Sequence, residues 1–309
     1  MNEHAMGYWT IVLALIGGAI RVSTPFLFVS LGECLTEKSG RINLGLEGTL
    51  VMGAMTGYAM SYHSGSPWVG VLCAGLAGLV FGLLHGLLCS LQRVNDIALG
   101  IGLMIFGTGL AFFLGKPYVQ PQAPMLPALA LGNWSDIAQV RSALQVNVLF
   151  IIGTVLAVVL DLGLNATRWG LILRLTGDNA QAAWALGYPV TTIRVLTTAF
   201  GGFLAGVGGS FLSLYYPGSW NEGLSSGQGL MAVALVIFAR WKPIRCFWAS
   251  LLFGAAGALG PALQSGGVTF GYHLFNAAPY IVTLIVMVVS CSPGRSLVGA
   301  PGELSLNRT

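Results

Sequence analysis

Apolar runs long enough to cross a lipid bilayer follow one another along almost the whole chain, separated by short polar breaks. A helix rises 1.5 Å per residue, so roughly 17–25 apolar residues span the hydrocarbon. Such runs lie at about Tyr8–Ser30, Leu44–Tyr62, Trp68–Leu91, Ile97–Leu114, Val146–Leu164, Thr191–Leu214, Phe247–Leu263 and Phe275–Cys291, with a shorter one at Gly229–Ala239. The pattern predicts an all-α polytopic membrane protein of about nine spans (eight to ten), with residues 1–309 forming a single transmembrane domain. The short run predicts a tilted or discontinuous element near 225–240. Arg21 and Pro25 interrupt the first run and predict a partly re-entrant region before Leu44.

Three polar breaks carry most of the information. The first, Arg174–Val190 (RLTGDNAQAAWALGYPV), is the longest in the second half. Asp178 or Asn179 suits the N-cap of a helix over Ala180 to Leu186, and Gly187 suits its stop. This predicts a short polar helix near 178–187. It reads equally as a surface offered to a soluble partner and as an ordinary helical loop.

The second break is Gly32–Gly48 (GECLTEKSGRINLGLEG). Glu33 and Glu37 share a helix face, with Lys38 and Arg41 beside them to pair. Asn43, Gly45 and Glu47 then fall where the next apolar run begins. One reading is an interfacial loop with Glu47 reaching water; the other is a discontinuous helix near 31–48 lining a solute pathway. The third break, Gly227–Pro243 (GQGLMAVALVIFARWKP), reads as a plain short span or as a gating or coupling element.

Composition removes whole classes of function. The chain is 55% hydrophobic and only 8% charged, and its mean hydropathy is +0.78. Soluble domains carry about 25% charged residues, so no soluble domain can be cut from this one. The net charge of +4 is therefore no nucleic-acid signal. Arg and Lys instead set topology. Placing Lys38, Arg41, Arg93, Arg168, Arg174, Arg240, Lys242, Arg245 and Arg295 on one side puts the C-terminus in the cytoplasm and the N-terminus outside. The Pro-rich loop from Lys116 to Gln145 is then external, with Lys116 and Arg141 on the wrong side. The 44 glycines suit close helix packing, with GxxxG spacings at Gly78, Gly82 and Gly86 and at Gly202 and Gly206.

Catalytic constellations are missing. No GxxxxGK[ST] loop is present, so ATP hydrolysis by that route is excluded. The histidines (His4, His63, His85, His273) show no metal-ligand spacing, and the five cysteines form no CxxC pair. His85 reads as a packed histidine or a proton relay. Gly208, Gly209 and Ser210 loosely resemble an intramembrane protease, without a histidine opposite. An ion-coupled secondary transporter is the rival reading; it needs an acid deep in a span, and only Glu47 and Asp161 offer one.

Together the three breaks resemble one family, the membrane subunits of binding-protein-dependent ABC importers of the ribose and branched-chain amino acid type. Arg174, Gly177, Asp178, Asn179, Ala182, Ala183 and Gly187 match that family's cytoplasmic coupling loop. SGRINLGLEGTLVMGAM (Ser39–Met55) and GQGLMAVALVIFARWKP resemble segments of the branch serving nucleosides and simple sugars. Departures are Asp178 for a usual glutamate, Trp184 for a common arginine, Ala239 for a glycine and Lys242 for an asparagine.

The resemblance implies a permease without enzymatic activity, in a bacterial cytoplasmic (inner) membrane and surrounded by lipid. It implies pairing with a second homologous permease, with ATPase subunits that hold ATP and Mg, and with an extracytoplasmic solute-binding protein. No cofactor is expected in this chain. Gly177, Asp178, Asn179, Ala182, Ala183, Trp184 and Gly187 would couple to the ATPase, with the Ala182–Ala183–Leu186 face in its groove. Asn43 and Glu47, then Asn95, Asn221 and Gln228, are the candidate pathway residues.

Overall fold

The computed structural model describes residues 3–91, 93–135, 138–265, 275, 277–290 and 299–306. Helix α1 runs unbroken from Glu3 to Lys38, so the region before Leu44 is not re-entrant. Pro25 lies inside it, and the polar groups of the preceding turn are satisfied locally. Ser23 Oγ and Thr24 Oγ1 both donate to the Ile20 carbonyl at 3.0 Å, and Arg21 Nε donates to Gly17 O at 3.1 Å.

The break after α1 is confined to residues 39–45. Gly40 adopts φ +89° there, and α2 (Leu46–Ser64) follows. The chain continues through α3 (Pro67–Leu88), which starts on its proline, and α4 (Asp96–Gly115), capped by the Asn95 side chain. The 116–147 connection holds a short helix, α5 (Ala138–Ala143), and two strands. The strands β1 (Ala128–Ala130) and β2 (Gln145–Asn147) pair antiparallel, Leu129 opposite Val146. Two three-residue strands are a local exception in a chain that is otherwise helical, as an all-α membrane protein should be. Next come α6 (Val148–Ala166), α7 (Arg168–Asp178), α8 (Ala180–Ala185), α9 (Val190–Leu214), α10 (Gln228–Phe238) and α11 (Pro243–Ser265), then α12 (Ala278–Ser290) and α13 (Gly302–Leu306). Among the described residues, six helices are long and apolar enough to cross a membrane: α1, α3, α4, α6, α9 and α11. The chain is a mostly helical, multi-pass membrane protein.

Helix α9 is the axis of the bundle, with 78% of its most apolar stretch buried against 17% for α4. It touches α1, α2 and α3, and glycine is what lets it approach them. A Cβ on Gly78 would lie 2.9 Å from Gly206 Cα, and one on Gly202 would lie 2.8 Å from Gly82 Cα. Backbone thus meets backbone, as small-residue spacings allow in lipid. Gly206→Val is expected to abolish the monodisperse, detergent-soluble protein, because the obstacles are main-chain atoms that cannot turn aside. Gly109→Val, where a Cβ meets nothing within 4 Å, should leave it intact. Size-exclusion profiles of the two variants check this, and equal profiles would refute the crossing.

The two ends of the bundle differ in chemistry. At one end Arg194 donates to Ser39 O at 3.0 Å and Thr176 O at 3.2 Å, and Lys38 Nζ to Gly299 O at 3.3 Å. At the other end Tyr58 OH donates to Pro121 O at 2.8 Å and Ser61 Oγ to Pro124 O at 2.7 Å. Lys38, Arg41 and Arg194 thus gather at the end that carries α8.

Candidate functional site

Two constellations stand out. The first is built around α10, only 11 residues long. The chain enters it through Ser226 (φ +48°) and Gly227 (φ +79°). Its N-terminal amides need an acceptor, and the Glu47 carboxylate, from the first turn of α2, supplies one. Oε1 accepts from Ser225 Oγ at 2.6 Å and from Gly227 N at 3.1 Å, and Oε2 from Gly229 N at 2.6 Å. Gly229 permits the approach, since a Cβ there would sit 2.6 Å from Glu47 Cα.

The other end of α10 turns through Arg240 and Trp241, both at φ +53°, and the Trp241 indole N–H donates to Glu37. One turn back on α1, Glu33 Oε1 accepts from Asn43 N at 2.8 Å. These carboxylates therefore hold the 39–45 break and both ends of α10. Glu33 and Glu37 do not pair with Lys38 or Arg41, contrary to what their spacing predicts. Glu33 and Glu37 face the interior, at 0% and 2% exposure, whereas Arg41 pairs with Asp96 at 2.6 Å. Nor does Glu47 reach water; its side chain is buried.

The five candidate pathway residues divide by what their polar atoms already do. Asn43 Oδ1 accepts from Gly45 N at 2.9 Å, closing the turn before α2. Asn95 Oδ1 caps α4 through Ile97 N and Ala98 N, and Asn221 Oδ1 accepts from Gly223 N at 3.1 Å. Gln228 differs: its side-chain oxygen is buried without a partner among the described residues. Glu47 and Gln228 meet at the start of α10; Asn95 and Asn221 stand elsewhere. Ser225, Glu37 and Trp241 were not singled out as members. Their signal lay in the short run itself, whose two ends both need acceptors or donors from outside.

The second constellation is α8. Asn179, not Asp178, is its cap: Oδ1 accepts from Ala182 N at 2.9 Å. Gly187 closes the far end at φ +84°, with Tyr188 N donating to Ala183 O at 3.1 Å. Gly177 is buried where α7 crosses the end of α1, and a Cβ there would collide with Lys38 O. The expected Ala182–Ala183–Leu186 face is split, with Ala182 half-buried. Ala183 is fully buried against the protein, while Trp184 and Leu186 stand 76% and 67% exposed.

The remaining candidates are engaged locally. His85 Nε2 lies 3.1 Å from Ile42 O, which ties α3 to the 39–45 break. Asp161 accepts from Asn165 Nδ2 at 3.3 Å, and Ser210 Oγ donates to Val207 O at 2.7 Å. Cys34, Cys73, Cys89 and Cys246 are free thiols. His273, Cys291 and Arg295 lie outside the described residues.

A multi-pass helical membrane protein with a suspended half-helix and a capped polar helix at its basic end has the makings of a transport component. Residues 15–291 match the family described as branched-chain amino acid transport system / permease component, and the chain belongs to that family. A putative glucose ABC transporter permease of Haloferax volcanii is 32% identical over 81% of this chain and 78% of its own. A nucleoside ABC transporter permease of Lactococcus lactis is 30% identical, covering 89% and 91%. A guanosine ABC transporter permease of Bacillus subtilis is 28% identical, covering 89% and 92%. Haloferax volcanii and Bacillus subtilis each also hold a more distant ABC permease match, at 24% and 20%. No solved structure matches the chain. The chain is the permease component of an ABC transporter, a transport part rather than an enzyme.

Proposed function

We propose that this chain is one half of the pathway of an ABC importer for a nucleoside or simple sugar. The other half is a homologous permease, and ATP hydrolysis with Mg on separate ATPase subunits drives the cycle. The observation that carries the ATPase contact is α8, a doubly capped helix at the basic end that presents Trp184 and Leu186 outward. Gly177, Asp178, Asn179, Ala182, Ala183 and Gly187 then shape and seat that helix rather than forming its docking face. The solute class is supported by what the relatives are named for: nucleosides, guanosine and glucose. An extracytoplasmic solute-binding protein delivers the solute.

A pair of unlike halves is supported by the two organisms that each hold a near and a distant match. On this reading the shorter helices α2, α10 and α12 join the six long ones in an odd number of passes, which puts the termini on opposite sides; Lys38 and Arg194 beside the C-terminal segment support a cytoplasmic C-terminus. Within this arrangement Gln228 is the pathway residue whose polar atoms are least committed, since its buried side-chain oxygen has no partner among the described residues, and a movement of α10 that uncovers it would offer it to solute. The ion-coupled alternative loses ground, since Glu47 and Asp161 are both engaged.

Two measurements test the proposal. A strain lacking the chain is expected to lose uptake of labelled nucleosides or pentoses and regain it on complementation. The tagged chain should co-purify an ATPase and a second permease. Unchanged uptake of every nucleoside and sugar would remove the solute class. Recovery of the chain alone, with uptake independent of ATP, would remove the importer.

A further inference from the structure

The C-terminal segment, outside every motif in the sequence, closes over α8. Glu303 Oε1 accepts from Ala180 N at 3.0 Å, the first amide of that helix. Its other oxygen pairs with Arg194 Nη2 of α9 at 3.3 Å. Arg194 in turn donates to Ser39 O and Thr176 O, so one guanidinium gathers the ends of α1 and α7. The α8 N-terminus therefore has two acceptors, Asn179 from its own strand of chain and Glu303 from 123 residues away. A carboxylate at a helix N-terminus meets the positive end of the helix dipole as well as a free amide.

The surrounding contacts are close enough to make this a fitted joint. A Cβ on Gly302 would collide with Asp178 O, and one on Gly40 would come within 3.1 Å of Glu303 Cβ. Pro301 is buried, and Leu304 packs against the core. Lys38 Nζ holds Gly299 O from the α1 side.

We propose that Glu303 is a positioning residue for energy coupling. It locks the start of α8 to Arg194, so a displacement of α8 is carried into α9, the most buried of the long helices. This rests on reading α8 as the helix the ATPase moves. Without the lock, α8 still presents Trp184 and still docks, but its movement is absorbed by a loosened joint.

The test uses the assembled transporter in proteoliposomes, carrying Glu303→Ala or Glu303→Gln, with ATP hydrolysis, solute uptake and ATPase co-purification measured together. Glu303→Ala is expected to keep co-purification and hydrolysis while uptake per ATP falls about tenfold. Glu303→Gln keeps an acceptor for Ala180 N but loses the ion pair, and should fall between. Unchanged uptake per ATP in Glu303→Ala overturns the proposal. So does loss of co-purification, which would place the residue in docking, and so does loss of both variants from the membrane, which would mark a folding role. The reading of α8 itself fails separately, if Trp184→Ala leaves ATPase association intact.

Discussion

Replacing Glu47 with alanine is expected to abolish transport and lower the thermal stability of the solubilised protein more than any other single polar change described above. The carboxylate is buried, and it answers three donors at once: Ser225 Oγ, Gly227 N and Gly229 N. Each buried donor left unpaired costs about 1–3 kcal/mol. Bonds to a carboxylate are also about twice as strong as neutral ones. Three donors at that cost give a loss of roughly 3–9 kcal/mol, a large part of the stability of an ordinary domain. The entry to α10 also passes through Ser226 at φ +48°, a conformation a serine holds only under constraint. Without Glu47 that constraint goes. Glu47→Gln retains one acceptor oxygen and should lose less. Melting curves in detergent, with uptake measured in parallel, decide the matter. A parental melting temperature for Glu47→Ala would show that α10 is held by something else.

The apolar runs and the observed helices coincide closely, because the hydropathy of a span is a local property and needs no knowledge of the fold. Errors gathered where polar groups find partners far away in the chain. The first run was ended at Ser30, yet α1 continues to Lys38. Glu33 and Glu37 are tolerated there because Asn43 N and the Trp241 indole come to them. Those partners are invisible to a pattern read along one helix. Local spacing also suggested ion pairs within Glu33–Arg41, but burial on one side and Asp96 on the other separated the charges.

Capping chemistry is legible in the sequence. Asn95 precedes Asp96 at a helix start, and Asn43 precedes a Leu-Gly pair, so both fit turn and cap rules better than solute contacts. For α8 the cap and the stop could be read from Asn179 and Gly187. The outward face could not, because six residues make less than two turns and show no period. The β1–β2 ribbon escaped for a similar reason, since three-residue strands 17 positions apart leave no alternation to detect.

The outward position of Trp184 on α8 leads to the second large effect. Trp184→Ala is expected to reduce uptake at least about tenfold and to weaken ATPase association, while the melting temperature stays that of the parent. The side chain is 76% exposed, so little intramolecular packing is lost on truncation. An exposed tryptophan on a helix braced at both ends is a rigid anchor, and buried aromatic anchors at interfaces commonly carry 2 kcal/mol or more, about 30-fold in affinity. Trp169 provides the control. It is 80% exposed but lines an apolar groove with Leu164, Ile172 and Ile193, a surface suited to lipid, and Trp169→Ala should leave ATPase association unchanged. Ala183→Arg tests something different, because Ala183 is fully buried and the arginine would displace α8 from the bundle and lower stability. Co-purification and uptake for the three variants separate docking from folding. If Trp184→Ala retains both while Ala183→Arg loses both, α8 matters for its seat in the bundle and not for its exposed face.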